Sequence, residues 1–403
     1  MVPPYITPEV SPGMTKLKSL LLFFLFLSSF TAVLAQDGLI IRDIIIVGTT
    51  RTDQGVIRSQ LPFREGEFWR EEYAPLTVRR LTTLDIFSYE PMRITAEPIS
   101  EHECRVIVRT ADPFILFKDP AEFTIMSGMR LSYSQVYLTA YNPFGTGQNL
   151  NLNITWGDNY SYGGSVTSPL GPGMVSLGGR YYRNDYTFSN DISYESSGWS
   201  VESTYWYWWN RFFRQSTRLQ YHAYVLEGEQ SSRIIPSLGL LFDDTFSGSV
   251  NASLGIPLKD DPLFWRVQGA LFKQAGPVIT LARGGYTSIN TPENLQFIVG
   301  GYSQLPLRGE NPWHLARAYV IGTGEYHFSL GDRFAPIVFV DGGWVWNDDP
   351  APGLDELLVN IGLGFAVYTP LGIPVRLDIA MNPVTQSWGG LKVGFGHSYI
   401  PLF

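Results

Sequence analysis

The sequence predicts a mainly β chain: a C-terminal transmembrane antiparallel β-barrel of about 16 strands behind one small N-terminal α+β domain. Three observations predict it. From residue 121 onward, segments of alternating apolar and polar residues recur at roughly the 9 to 11 residues that a membrane-crossing strand needs. The 403 residues are 44% hydrophobic and only 16% charged, yet no apolar run after residue 40 reaches the ~18 residues of a spanning helix. Finally, the chain is 14% aromatic and closes on Phe403, which suits girdles of Tyr, Trp and Phe at the membrane interfaces.

At the amino terminus, Lys16 and Lys18, an apolar run from Leu20 to Phe30, and Val33-Leu34-Ala35 before Gln36 read as a secretory signal. Translation is expected from Met14 and cleavage after Ala35, so residues 1–35 are upstream sequence plus signal peptide. Losing them removes Glu9, Lys16 and Lys18 and moves the formal net charge from −8 to −9. An acidic mature chain argues against a nucleic-acid partner. The single cysteine, Cys104, has no internal disulfide partner and is expected as a small buried apolar residue.

Residues 39–111 carry a different pattern. An apolar strand is predicted over 39–47, ending at Gly48. Thr52 or Asp53 caps a short helix through Leu61, and 71–84 forms a second, amphipathic helix with Tyr73, Leu76, Val78, Leu81 and Leu84 on one side. Pro75 fits only its first turn. Strands are predicted at 86–94 and 104–110, which gives the order β-α-α-β-β and a mixed-sheet α+β unit.

Asp112-Pro113 is the expected hinge into a barrel over 112–403. Its clearest strand is 149–156, with Leu150, Leu152, Ile154 and Trp156 on one face and Asn149, Asn151, Asn153 and Thr155 on the other. The first strand is predicted at 121–128 and the last at 388–399. Gly, Pro and Asp mark the turns, as in Gly171-Pro172-Gly173 and Asp260-Asp261-Pro262. One long connection, 288–315, reads as neither strand nor tight turn, and loops of that length are usually functional. The aromatic block Tyr205-Trp206-Tyr207-Trp208-Trp209 is expected in an interfacial girdle.

These features resemble the superfamily of outer-membrane assembly and translocation proteins of the BamA and TamA type, which joins periplasmic POTRA domains to a barrel of about 16 strands. The POTRA pattern is matched by Ile44 to Val47 with Gly48, then Thr50-Arg51-Thr52, Gly66, Leu81 and Asp85-Ile86-Phe87. In the long connection, Leu307-Arg308-Gly309 matches the hydrophobic-Arg-Gly-aromatic signature, except that Glu310 stands where the family has an aromatic. The resemblance implies that this loop enters the lumen and that Arg308 pairs there with wall carboxylates. Alternation offers Glu325, on the face of Tyr319, Ile321, Thr323 and His327, and Asp341, on the face of Phe339. It also implies a terminal assembly signal at Phe395, Tyr399 and Phe403, and a weak seam between 121–128 and 388–399.

The function implied is an outer-membrane insertion or translocation factor, with the POTRA domain in the periplasm of a Gram-negative-type bacterium. Its partners would be unfolded outer-membrane or secreted clients, outer-membrane lipid, and periplasmic or lipoprotein accessory subunits. A passive channel or structural barrel, or a secretion pore for a dedicated partner, is the alternative. No nucleotide-binding loop, nucleophile elbow or Cys/His metal spacing occurs, and His102, His222, His314, His327 and His397 are scattered. The chain is therefore expected to be no enzyme and to need no cofactor or metal.

Overall fold

A computed structural model describes residues 38–395 except 89–91, 119, 133, 188–192, 245, 260, 301–306, 309–313, 332, 348–352, 354–355, 369–373 and 387. The signal segment, Gly309, Glu310, Tyr399 and Phe403 lie outside the described residues, as does the side chain of Phe395.

The N-terminal domain runs β1 (Ile40–Val47), α1 (Gln54–Gln60), α2 (Tyr73–Leu84), β2 (Arg93–Pro98) and β3 (Glu103–Arg109). Its sheet has the order β1-β3-β2, with β1 parallel and β2 antiparallel to β3. Asp53 caps α1 by accepting from the N–H of Gly55 at 2.6 Å, and Pro75 sits in the first turn of α2. Ile41, Ile57, Leu81, Leu84, Cys104 and Val106 form the core. Burying each aliphatic side chain of this kind stabilises by about 1.5–3 kcal/mol. The strand expected at 86–94 is displaced to β2. Asp85 ends α2 in the left-handed region at φ 56°, and Ile86 and Phe87 turn straight into the core, so their apolar character fills space beneath the helix rather than a strand face.

The barrel strand expected at 121–128 is instead a helix, α3 (Pro120–Ser132). The residues explain why: Pro120 occupies the first helical position, where its missing N–H costs nothing, and Phe123, Met126 and Met129 recur every third residue. The large sheet therefore begins at β4 (Gln135–Tyr141) and holds 15 strands among the described residues, not 16. It continues through β5 (Asn149–Thr155), β6 (Tyr160–Leu170), β7 (Gly173–Thr187), β8 (Ser193–Trp208), β9 (Phe213–Leu226) and β10 (Glu229–Asp243). Next come β11 (Ser247–Pro257), β12 (Phe264–Ala275) and β13 (Val278–Thr287). A short ribbon, β14 (Phe297–Val299) with β15 (His314–Ala316), interrupts the series inside the long connection. The sheet then resumes with β16 (Ala318–His327), β17 (Phe334–Trp346), β18 (Leu358–Tyr368), β19 (Pro374–Met381) and β20 (Trp388–Phe395). Neighbouring strands in this sheet are antiparallel throughout, with β13 paired directly to β16.

Period-two alternation sorts the two faces. Leu152, Leu177, Val201, Leu271, Val340 and Leu363 stand exposed on the outer face, while Tyr319, Glu325, Asp341 and Asn360 are buried on the inner one. Such an apolar exterior is costly in water and favourable against lipid.

The N-terminal domain is docked on one rim of the sheet. Asn149 Nδ2 donates to Leu84 O at 3.0 Å, Gln60 Nε2 to Gly171 O at 2.7 Å, and Trp208 Nε1 to Thr83 Oγ1 at 2.7 Å. Met174 and Trp206 complete the domain's own core. The aromatic block thus divides: Trp206 and Trp208 serve the docking interface, and Trp209 stays exposed as a girdle residue would.

Candidate functional site: a buried arginine–carboxylate lock

The long connection folds against the inner face rather than standing free. Phe297, Val299, Leu307 and Ala316 pack with Tyr319 and Ile321 of β16 in one apolar cluster. This cluster fixes the stem of the loop and delivers the next residue, Arg308, to the wall.

Arg308 is 3% exposed and surrounded by acid. Its Nε and Nη2 donate to the two oxygens of Asp341 at 2.8 and 2.7 Å, a bidentate pair. Its Nη1 donates to Glu325 Oε1 at 2.8 Å and Asp378 Oδ2 at 3.3 Å, and its backbone N–H to Asp341 Oδ2 at 3.2 Å. The guanidinium lies over the ring of Phe339, 3.4 Å from the centroid.

Arg376 closes the network. It bonds both oxygens of Glu325, at 2.9 and 3.0 Å, and both oxygens of Asp378, at 2.8 and 2.9 Å. Thr323 Oγ1 donates to Asp341 Oδ1 at 3.0 Å, and His327 Nε2 lies 2.9 Å from Glu325 Oε2. Two small residues of β18 make room. A Cβ on Gly362 would stand 2.2 Å from the Phe339 ring, and one on Gly364 would stand 2.2 Å from Asp378 Oδ1. The glycines in this strand are thus imprints of the lock in the neighbouring strands.

Of the residues singled out in sequence, the structure brings Leu307, Arg308, Glu325 and Asp341 together. Gly48 and Gly66 take positive φ, 93° and 90°, and Phe87 is buried in the N-terminal core. Arg376, Asp378 and Phe339's stacking role were missed. The signal was present: in β19, Arg376 and Asp378 alternate with Val375, Leu377 and Ile379, and charges in a strand whose other face meets lipid must turn inward. Among the described residues no group of His, Cys, Asp and Glu is placed to hold a metal. The cluster's donors and acceptors are engaged with each other, which suits it to positioning a loop.

No protein-family model matches the chain, and no curated protein matches its sequence. Solved structures do. BamA from Haemophilus ducreyi lacking POTRA domains 1–3 is 16% identical with TM-score 0.53, over 89% of this chain and 84% of that one. CdiB from Acinetobacter baumannii is 14% identical with TM-score 0.59, over 89% and 73%. CdiB from Escherichia coli is 14% identical with TM-score 0.60, over 89% and 76%. At such identities the likeness is one of fold: the chain shares the overall fold of these BamA and CdiB structures.

Proposed function

We propose that the chain is an outer-membrane protein assembly or insertion factor rather than an enzyme, with its N-terminal domain acting as a periplasmic POTRA module. The observation that carries this reading is the lock: a long loop pinned by Arg308 to Glu325, Asp341 and Asp378 on the inner wall of a BamA-type fold. A buried ion cluster of this kind adds little net stability, because desolvation offsets its Coulomb gain, and its use lies in fixing one arrangement.

Two sheet edges then acquire roles. In the N-terminal sheet, the free side of β1 is covered: Ile41 N–H donates to Glu67 O and Trp69 N–H to Leu39 O, both at 2.8 Å. Among the described residues, the edge of β2 is the one left for an extended client strand, which would bind by main-chain hydrogen bonds tolerant of many sequences. In the barrel, the seam lies between β4 and β20, the two ends of the strand order. Gly389, Gly390 and Gly394 weaken the last strand. A client strand templated on this seam needs no nucleotide, since burial of its lipid-facing apolar surface drives insertion.

Translocation of a dedicated secreted partner is the second reading. It is kept because two of the structures that share the fold are CdiB proteins. The deciding experiment reconstitutes the mature chain in liposomes and follows insertion of urea-unfolded outer-membrane barrels, with Arg308→Ala and empty liposomes beside it. Acceleration by wild type that Arg308→Ala abolishes supports the insertase. No acceleration, with ion conductance present, moves the assignment to a secretion pore or a passive channel.

A further inference from the structure

We propose that the inner wall of β5–β9 holds a binding trough for an extended, acidic peptide segment. A cavity of about 310 Å³ lies against this wall, lined by Asn153, Arg180, Ser200, Glu202, Arg218 and Gln220 among others. It is separate from the lock, which uses β16, β17 and β19.

The floor of the trough is at backbone height. Gly163 and Gly178 face inward there: a Cβ on Gly163 would stand 2.6 Å from the backbone oxygen of Gly179, too close for any side chain, and one on Gly178 would sit tightly at 3.0 Å from Ser165 Cβ. The absence of side chains at these two positions leaves depth for a second chain laid across them.

The charge of the trough is positive. Arg180 is exposed to the cavity and has no hydrogen bond or ion pair among the described residues, its one contact being the Tyr182 ring at 5.5 Å. Arg218 pairs with Glu202 and donates to Gln220 Oε1 at 3.2 Å, while its Nε has no partner. Two guanidiniums therefore face one carboxylate. Further along the same face, Arg266 bonds Leu295 O at 3.3 Å and Gln268 Oε1 at 3.0 Å and lies over Phe297, with no carboxylate among the described residues. The inner-face acids of β16, β17 and β19 are already held by Arg308 and Arg376, so they do not cancel this field. Low-dielectric walls focus such a field and concentrate an oppositely charged ligand.

A peptide fits better than a small anion. The cavity exceeds the size of a single phosphate, and the side chains of Asn153 and Ser200 make no hydrogen bond among the described residues, which leaves amide and hydroxyl groups for a main chain. Arg180 and Arg218 supply planar forks for carboxylate side chains. The inference rests on the proposed function only for the source of that peptide, a client segment.

The test uses the full chain in phosphatidylcholine nanodiscs and reads fluorescence anisotropy of a labelled glutamate-rich oligopeptide. A lysine-rich oligopeptide and inorganic phosphate serve as competitors. Wild type is expected to bind the acidic peptide, more weakly as salt rises, and the double variant Arg180→Gln/Arg218→Gln to lose about tenfold or more in affinity. Heat-modifiable gel mobility checks that the variant barrel is folded, and Arg42→Gln, on the outer surface of the N-terminal domain, is expected to bind as wild type does. Absence of binding, equal binding of the lysine-rich peptide, or an unaffected double variant overturns the proposal. Full displacement by phosphate at low concentration overturns the peptide assignment in favour of a small anion. Binding is measured without client assembly, so its failure leaves the liposome result standing, and the converse also holds.

Discussion

Arg308 is the residue on which the inner-face geometry turns, and its substitution has a definite sign. Removing it leaves Glu325, Asp341 and Asp378 buried with Arg376 alone to balance them. Arg308→Gln is therefore expected to destabilise the folded barrel by about 3–5 kcal/mol, the penalty for stranding buried charge. Urea titration in detergent, read by tryptophan fluorescence, measures it; a loss below about 1 kcal/mol would mean that water reaches the acids and that the lock is open. Arg308→Lys should rescue little, because a point charge cannot replace the bidentate fork on Asp341 or the stack on Phe339. Gly362→Ala probes the same site from behind: its Cβ meets the Phe339 ring at 2.2 Å and Ile379 O at 2.5 Å, and such overpacking costs about 1–3 kcal/mol. Sequence alone brought Arg308, Glu325 and Asp341 to one place, because a signature and two-residue alternation both pointed inward. Arg376 and Asp378 are harder to see, since opposite charges two residues apart in one short strand also fit a solvent-facing ion pair, and no signature residue adjoins them.

At the scale of elements, two-residue alternation marked the strands at 149–156 and 388–399, where β5 and β20 stand, and failed at 121–128. There Ala121, Phe123 and Ile125 alternate with Glu122 and Thr124 for only five residues, and the helix that forms, α3, follows the three-residue spacing of Phe123, Met126 and Met129 behind Pro120. The consequence falls on β4, now the first strand of the sheet. The linker reaches its far side, where Tyr141 N–H donates to Ile115 O at 2.6 Å, and Arg130 of α3 lies over Tyr137 at 4.6 Å. The linker is itself pinned by Asp112, whose carboxylate accepts from the N–H groups of Thr50 and Arg51 at 2.7 and 2.6 Å and from the Thr52 hydroxyl. Burial pushes the Asp112 pKa up, but the Thr52 hydroxyl and the N–H groups of Arg51, Thr50 and Thr52, the last at 3.3 Å, outweigh it and hold the carboxyl below the usual range. A depressed carboxyl stabilises fully above its unfolded value, about 3.9, and loses that contribution as pH falls through the folded value. Protection factors of the 50–52 amides, taken relative to the intrinsic exchange rate at each pH, should therefore fall only in the acid range in wild type. In Asp112→Asn they should be low already at neutral pH and unchanged across that window. A wild-type profile without the acid step would mean that the hinge is held by other contacts.

For the whole molecule the question is whether the N-terminal domain and the sheet open as one body. No composition or periodicity could reveal their docking, because it joins the ends of α1 and α2 to connections far away in sequence. Arg80 spans this interface: it donates to Trp208 O at 3.2 Å and Tyr207 Oη at 3.3 Å and reaches Gln60 O at 3.5 Å. Met174 and Trp206 enter the domain's core from the sheet side, so opening the interface uncovers that core. Cys104 reports on this directly. It is the chain's single cysteine, fully buried in the same core, and inaccessible to a thiol reagent until the domain opens. In wild type its modification should wait on that opening. Arg80→Ala removes two bonds across the junction, to Trp208 and Tyr207, and should raise the open population by roughly 5- to 30-fold, the equivalent of about 1 to 2 kcal/mol. The sheet, with its strands hydrogen-bonded along their whole length, should keep its heat-modifiable mobility throughout. Labelling of Cys104 at an unchanged rate in Arg80→Ala would show that the domain's core stands without the rim. Labelling that accelerates only when gel mobility is also lost would show that domain and barrel unfold together, and a client strand on β2 would then have to be bound by a module that never leaves the barrel mouth.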